Sequence, residues 1–473
     1  MEGGVLMATE TERRPDRKFW NPEMEAMPLE ELRKLQLNKL KKQIKYIYEN
    51  SPDYYKKKFD EVGAKPEDIK TWEDFRKLPI MRTKDGDREA QRESMEKYGH
   101  PLGTYLCAPV EKVVYLSSTS GTTGEPTFSY IFTEHDKMIN DEVWQRVFWR
   151  AGIRPGDAVL QTFGLSMWVG GIPVVSALQN MGARAIPVGA EGGTERQLRL
   201  ADLLKAKAMI GTPPVAEYLI EQCPKILGKP VGELGIKIIL CAGAPGAGLP
   251  EVRKKIETAY GCRLYDSTGG GWGLHHVSCD APQYSGMHVV CEDYAIWYDL
   301  VDPVTNKPVD IVHGAVGHGI VTSFDHEAAP AFKYAMGDLL EVLTETCPCG
   351  VPGVRFRILS RVDDMLIIKG INIYPSAVKN VIGSFAPRVT GEFRILLDQP
   401  GPRVEPPMKI KIEYGKGIGE KDLPALGKEI GDKLSATLRC RAEFQWVPPE
   451  TLERAAGAQG KGKLIEKLYE KKK

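Results

Sequence analysis

Near the start of the chain the apolar positions Leu29, Leu32, Leu35, Leu37, Leu40, Ile44 and Ile47 fall at helical spacing. They predict an amphipathic helix of about five turns or a little more. Beyond Pro126 short apolar runs alternate with helical patterns. Ala158-Val159-Leu160, Ala183-Arg184-Ala185-Ile186-Pro187, Ala208-Met209-Ile210-Gly211 and Lys237-Ile238-Ile239-Leu240 each read as a buried strand. With crossover helices between them, such strands build a parallel sheet. Past Gly286 the chain turns strand-rich, punctuated by Val301-Asp302-Pro303 and Thr305-Asn306-Lys307-Pro308. A charged turn, Arg361-Val362-Asp363-Asp364, precedes a smaller final α+β segment. Residues 1–16 are polar and charged and are expected to be disordered. There is no internal repeat.

Length and charge narrow the picture. A chain of 473 residues is too long for one ordinary domain, and two or three are expected. Lys and Arg total 64 against 63 Asp and Glu, which gives neither nucleic acid nor an anionic membrane electrostatic support. The basic Glu466-Lys467-Leu468-Tyr469-Glu470-Lys471-Lys472-Lys473 reads as the solvated end of a helix. No apolar run approaches the roughly 20 residues that span a bilayer. Val5-Leu6-Met7-Ala8 is too short for a signal-peptide core. Nine scattered cysteines without a secretion signal then suggest reduced thiols in a cytoplasm.

Several segments carry chemistry. Ser117-Ser118-Thr119-Ser120-Gly121-Thr122-Thr123-Gly124-Glu125-Pro126 is dense in hydroxyls and glycines and follows the apolar Val113-Val114-Tyr115-Leu116. Hydroxyls donate to phosphate oxygens, and glycines let successive N–H groups face an anion; composition alone reads equally well as a flexible turn. Phe163-Gly164-Leu165-Ser166 through Trp168-Val169-Gly170-Gly171 pairs aromatics with glycines, a pattern of core packing or of a substrate wall. Ala242-Gly243-Ala244-Pro245 follows a strand as a tight turn, and Asp338 after Gly337 reads as a strand-end carboxylate. Gly457 to Lys463 spells the spacing of a P-loop, but Leu464 holds its Ser/Thr position and no buried strand precedes it, so that reading fails. Cys347-Pro348-Cys349 places two thiols one residue apart. Cys279 and His288 are the best complements for a structural Zn²⁺, with Cys291 and His276 as substitutes, set against four unrelated side chains.

In order and spacing these motifs resemble the AMP-forming acyl-CoA synthetases, whose phosphate loop is close to S-[ST]-G-[ST]-T-G-x-P. Trp20-Asn21, Tyr54-Tyr55, Leu78-Pro79, Thr83-Lys84-Asp85, Thr194-Glu195-Arg196-Gln197-Leu198 and Gly211-Thr212-Pro213-Pro214 narrow the likeness to the phenylacetate-CoA ligase branch. The resemblance runs from about residue 18 to 464. It implies a large N-terminal α/β domain of adenylate-forming type (17–360), a hinge at 361–364 centred on Asp363, and a small mobile C-terminal α+β domain (365–473).

By the same likeness ATP and AMP lie on Ser118, Thr119, Ser120, Gly121, Thr122, Thr123 and Gly124, on Ala242, Gly243, Ala244 and Pro245 at the adenine, and on Asp266, Ser267 and Thr268. Asp338 would accept from both ribose hydroxyls, which suits a carboxylate, and Arg361 would bind ribose or phosphate. Phe163, Gly164, Trp168, Gly170, Gly171, Gly269, Gly270 and Trp272 would form the acyl pocket. Gly370 and Ile371 would admit the pantetheine arm of CoA, and Lys461, with Lys463 as runner-up, would neutralise charge during adenylation.

The chain departs from the family at Tyr265-Asp266-Ser267-Thr268-Gly269-Gly270-Gly271-Trp272, where a Glu that helps hold Mg²⁺ is replaced by Gly269 or Trp272 according to register. Mg²⁺ would then be held mostly by ATP and water, and the glycines would open room near the acyl group. The expected activity joins an aromatic acid of the phenylacetate or benzoate type to CoA, with ATP as co-substrate and a homodimer left open. Rivals are a non-CoA acceptor, either a carrier protein or a deazaflavin-type cofactor, and a degenerate nucleotide-binding homologue.

Overall fold

The computed structural model describes residues 18–119, 126–244, 246–351, 353–369, 371–453 and 464–472. The first expected helix forms over Leu29–Asn50, about six turns, with Leu32, Gln36, Leu40, Gln43, Ile44 and Ile47 buried. Its inner face is therefore not all apolar, and Leu35 and Leu37 are only partly covered. Gln36 donates to the carbonyl of Glu292 at 2.7 Å. Gln43 donates to the carbonyl of His326 and accepts from its N–H, both at 2.9 Å. The glutamines fasten the helix to a loop by satisfying buried backbone groups.

The four expected strands form as Ala158–Gln161, Arg184–Pro187, Ala208–Gly211 and Ile238–Cys241. They pair in parallel, joined by Arg263–Gly270. Helices Glu134–Arg150 and Ile172–Met181 cover one face, burying Trp144, Phe148, Val174 and Leu178 against it. Helices Gly193–Leu203, Pro213–Leu227 and Pro250–Tyr260 cover the other. Burial on both faces explains why Ala158–Gln161, Ala208–Gly211 and Ile238–Cys241 are almost wholly apolar, whereas Arg184–Pro187, at the sheet edge, is exposed at both ends.

After Gly270 the same sheet continues antiparallel through Leu274–Ser278, Met287–Val289, Arg355–Arg361, Tyr334–Leu343, Val316–Ser323 and Ala295–Val301. A hairpin, Tyr115–Thr119 with Thr127–Phe132, packs beside it. Beyond Arg361 a second core begins. Strands Ala442–Val447, Met408–Tyr414, Val389–Leu397 and Ile465–Lys467 form a separate sheet that packs with helices Pro375–Gly383 and Leu423–Leu438. The protein is thus a large N-terminal α/β domain with a small C-terminal α+β domain. Among the described residues no helix is long and apolar enough to cross a membrane.

Candidate active site

Between the two domains, beyond the carboxyl ends of the parallel strands, lies a cleft of about 2700 Å³. Open α/β sheets place ligands there because loops from successive strands diverge at that edge. Phe163, Trp168, Gly170, Ala242, Gly243 and Ala244 line it, as do Asp266, Ser267, Thr268, Gly269, Gly270, Asp338 and Arg361. Ser120, Gly121, Thr122, Thr123, Gly124, Pro245, Gly370, Lys461 and Lys463 lie outside the described residues.

Asp338 and Arg361 face one another on adjacent strands, and Arg361 Nη1 donates to Asp338 Oδ1 at 2.8 Å. The Asp338 charge is the chief cause that raises the Arg361 pKa. Gly337 makes this contact possible: its φ is +89°, and a Cβ there would strike the guanidinium. The Gly337 N–H donates to His318 Nε2 at 2.9 Å, and burial lowers the pKa of that imidazole, which favours the neutral acceptor.

Ser117 Oγ and the Ser118 N–H both donate to the carbonyl of Met167, at 2.7 and 2.8 Å. Strand Tyr115–Thr119, at whose end the hydroxyl-rich segment begins, is thereby tied to the aromatic-glycine loop. Trp168 stands edge-on to Phe163, with ring centroids 4.6 Å apart. Its indole lies over Gly170 and Gly243, where an added Cβ would come within 2.6 and 3.0 Å of the ring. One aromatic plate therefore adjoins both the expected acyl segment and the expected adenine segment. Gly164 and Gly171 do not line the cleft; a Cβ on Gly171 would overlap the Gly164 carbonyl, so this pair closes the loop backbone on backbone.

The glycine run also departs from expectation. A Cβ on Gly269 would strike the Leu274 carbonyl and the His275 ring; on Gly270 it would meet Tyr130 at 3.0 Å, and on Gly271 Phe132 at 2.5 Å. The freed volume is filled by rings rather than opened to a ligand. Trp272 is buried between Tyr130 and Tyr334, with centroids at 4.4 and 4.8 Å, and stands behind the cleft wall. Gly269 has no room for the carboxylate that the family carries, so the residues there do not fit a protein-held Mg²⁺. Asp266, the nearest carboxylate in the run, accepts from Tyr284 Oη at 2.6 Å, and burial pushes its pKa up to about 6. Ser267 Oγ donates to the His276 carbonyl at 2.9 Å.

Sequence reasoning missed Tyr284, and it missed Asn140, Trp144 and His275, which line the cleft wall beside Phe163. Helix Glu134–Arg150, which carries Asn140 and Trp144, is buried almost all round despite its many polar residues, so no amphipathic stripe marks it. Arg82, fully buried, pairs with Asp87 at 2.7 Å, and Asp87 accepts from Ser129 at 3.1 Å, holding the floor beneath Tyr130 and Tyr334. Asp363 sits exposed at the tip of the turn that joins the domains. Ile371 opens the strand Ile371–Ile373, antiparallel to Leu366–Ile368, outside the cleft lining.

Away from the cleft, Cys279, His288, Cys347 and Cys349 converge with all four ligand atoms within 4.8 Å of one another. Cys279 Sγ lies 3.5 Å from Cys347 Sγ, and Cys349 Sγ lies 3.4 Å from His288 Nε2. Ligands at about 2.0–2.3 Å around a tetrahedral ion stand roughly this far apart, so the set fits Zn²⁺. Burial, with help from Arg150, Arg355 and Lys18, lowers the His288 pKa to about 3, leaving the neutral imidazole that a metal takes.

A family model described as "AMP-binding enzyme C-terminal domain" matches residues 370–465. The chain is 29% identical to the phenylacetate-coenzyme A ligase of Thermus thermophilus over 459 residues, 93% of this chain and 98% of that protein. It is 30% identical to the Escherichia coli phenylacetate-coenzyme A ligase over 366 residues, covering 76% and 78%. Among solved structures it is similar to 2-hydroxyisobutyryl-CoA ligase, at 27% identity. In the postadenylation state with 2-HIB-AMP that enzyme matches with a TM-score of 0.85, covering 96% of this chain and 93% of the other. The TM-score falls to 0.70 for an open conformation with CoA (95% and 95%) and to 0.67 for the thioesterification state (96% and 94%).

Proposed function

The chain belongs to the phenylacetate-coenzyme A ligase family, and from that premise we propose that it joins an aromatic acid of the phenylacetate or benzoate type to CoA. As a member of that family it is an AMP-forming acid–thiol ligase, which activates a carboxylate as acyl-AMP and passes the acyl group to CoA. The observation that carries the assignment to this cleft is the convergence of the Asp338–Arg361 pair, the Ala242–Ala244 turn and the aromatic wall between the two domains.

In the first step a carboxylate oxygen attacks the α-phosphorus of ATP, and the bond to pyrophosphate breaks. Asp338 accepts from the ribose hydroxyls, while Arg361 turns from Asp338 to the ribose or phosphate. The Ala242–Ala244 turn lies along the adenine, with the Ser267-Thr268 segment beside it. Lys461 neutralises the charge gathering between carboxylate and α-phosphate; Glu453 and Leu464, which flank its segment, both line the cleft. Mg²⁺, when bound with ATP, supplies charge neutralisation on the phosphates. In the second step the CoA thiolate attacks the acyl carbon and AMP leaves. The small domain turns about Asp363 so that Gly370 and Ile371 border the path of CoA. The unequal match to three states of one related ligase supports such a turn, since this chain's domain arrangement lies nearest the postadenylation state. The Cys279–His288–Cys347–Cys349 cluster holds a structural Zn²⁺. Nine unpaired cysteines suit a reducing cytoplasm.

The test is nucleotide product analysis with ATP, Mg²⁺ and a panel of aromatic and short aliphatic acids, with and without CoA. The reading expects AMP that appears with one aromatic class and rises with CoA. AMP independent of CoA redirects the second step to another acceptor, and bound ATP without AMP returns the degenerate reading.

A further inference from the structure

Two side chains on the aromatic wall of the cleft each carry a polar atom without a partner. Asn140 and His275 both line the cleft. They are 2% and 3% exposed, and Asn140 Nδ2 and His275 Nδ1 are buried without a hydrogen bond. Asn140 and Trp144 lie one turn apart on the same face of their helix. Trp144 in turn packs on His275, with ring centroids 4.0 Å apart. The two side chains therefore adjoin one ring, that of Trp144, in the part of the cleft wall that Phe163 also lines. A buried polar atom left unpaired is costly, and nearly all such atoms in folded proteins find a partner.

We propose that Asn140 and His275 recognise a hydroxyl group on the acyl portion of the substrate, an inference that rests on the acyl pocket assigned above. A hydroxyl oxygen accepts from one neighbour while its proton goes to another. It can accept from Asn140 Nδ2 and donate to His275 Nδ1, or serve the opposite ring tautomer as acceptor. Burial, then the neighbouring His276, lowers the His275 pKa to about 3, so the ring is neutral and bears one donor and one acceptor nitrogen. A carboxylate or halide could not serve both tautomers. A ligand that fills the pocket beside them without supplying a partner leaves both nitrogens unpaired. An unsubstituted phenyl or alkyl acid would do that; a hydroxylated one would not.

The experiment measures kcat/KM for AMP release on matched pairs. These are phenylacetate and benzoate against their ring-hydroxylated isomers, and isobutyrate against its 2- and 3-hydroxy derivatives. Methyl- and fluoro-substituted acids control for size. One hydroxylated isomer is expected to exceed its parent by about 10²-fold or more, because sites built around a substrate hydroxyl reject the analogue that lacks it. The Asn140→Leu variant, branched at the same atom and without the amide, is expected to shrink that ratio at least tenfold; if it fails to fold, the wild-type ratios decide alone. Parents that match or beat every hydroxylated isomer in the accepted scaffold overturn the proposal and leave the ligase reading intact. Turnover confined to hydroxylated aliphatic acids upholds it while overturning the aromatic assignment. Absence of AMP with every pair overturns both.

Discussion

Asp266 shows how one side chain's surroundings set a measurable pH dependence. Burial raises its pKa from 3.8 to about 6, so the folded state holds the proton more tightly than the unfolded chain. The stability this contributes is complete below about pH 4 and is lost as pH rises through about 6. Asp266→Asn should therefore unfold at the same urea concentration as wild type at pH 4. At pH 8 it should be more stable by about 2 kcal/mol, after discounting for partial exposure to cleft water. Equal midpoints at both pH values would mean that the carboxylate ionises without penalty. Lys461→Ala should lower adenylation by about 10²–10³-fold, the scale of losing one preorganised charge at a transition state, while thiolysis of supplied acyl-AMP persists. Unchanged AMP formation from ATP would move the role to Lys463. At this scale the sequence singles out Asp338 and Arg361, which the structure pairs, yet Asp338 lies within strand Tyr334–Leu343 rather than at the strand end its preceding glycine suggests. It is opaque where the neighbour is distant: nothing near Gly269-Gly270-Gly271 reveals that Tyr130, Phe132 and His275 fill the space beside them.

The elements fall into two kinds by how well their patterns foretell them. Three of the four expected parallel strands are buried throughout, so plain apolar runs mark them, and the structure shifts the ends of all four by no more than a residue. Helix Leu29–Asn50 was visible from its leucines, and Leu40, Ile44 and Ile47 do pack in a core, yet Gln36 and Gln43 share its inner face because loop carbonyls lie opposite those two positions. Helix Glu134–Arg150 hid Asn140 for the converse reason: burial all round leaves no polar face to read. Spacing marked only the Cys347–Cys349 pair, and of the complements left open the structure brings Cys279, just past strand Leu274–Ser278, and His288, within strand Met287–Val289, to it. Elemental analysis should find about one zinc per chain. Stripping it with a chelator should lower the Tm by about 5 °C and expose three further reactive thiols, since metal binding adds directly to folding free energy. Metal-replete protein without zinc, or a Tm indifferent to chelation, would leave the four side chains as simple neighbours.

At the scale of the whole molecule, one cleft must serve two reactions that need different groups around one carboxylate, the first at the α-phosphorus and the second at the acyl carbon. Binding energy alone cannot arrange this, but a small domain with its own core can turn as a unit and present a different edge. The connection is the turn Val362–Asp364, held at both ends. The Val362 N–H donates to the Gly337 carbonyl at 2.7 Å, and the Asp364 N–H to that of Arg361 at 3.2 Å. No bond from the Asp363 N–H is formed among the described residues, so proline at 363 removes no donor the fold uses, but it fixes φ and restricts Val362. Asp363→Pro should leave single-turnover formation of acyl-AMP within about threefold of wild type and slow acyl-CoA formation by at least tenfold, because the arrangement described resembles the postadenylation state of a related ligase and only a turn away from it would be impeded. Gly370→Trp should give the same split by obstructing the CoA path, but with a raised KM for CoA that Asp363→Pro lacks. If Asp363→Pro slows both half-reactions alike, the domains do not pivot at this turn, and the rotation must be absorbed elsewhere between Arg361 and Leu366.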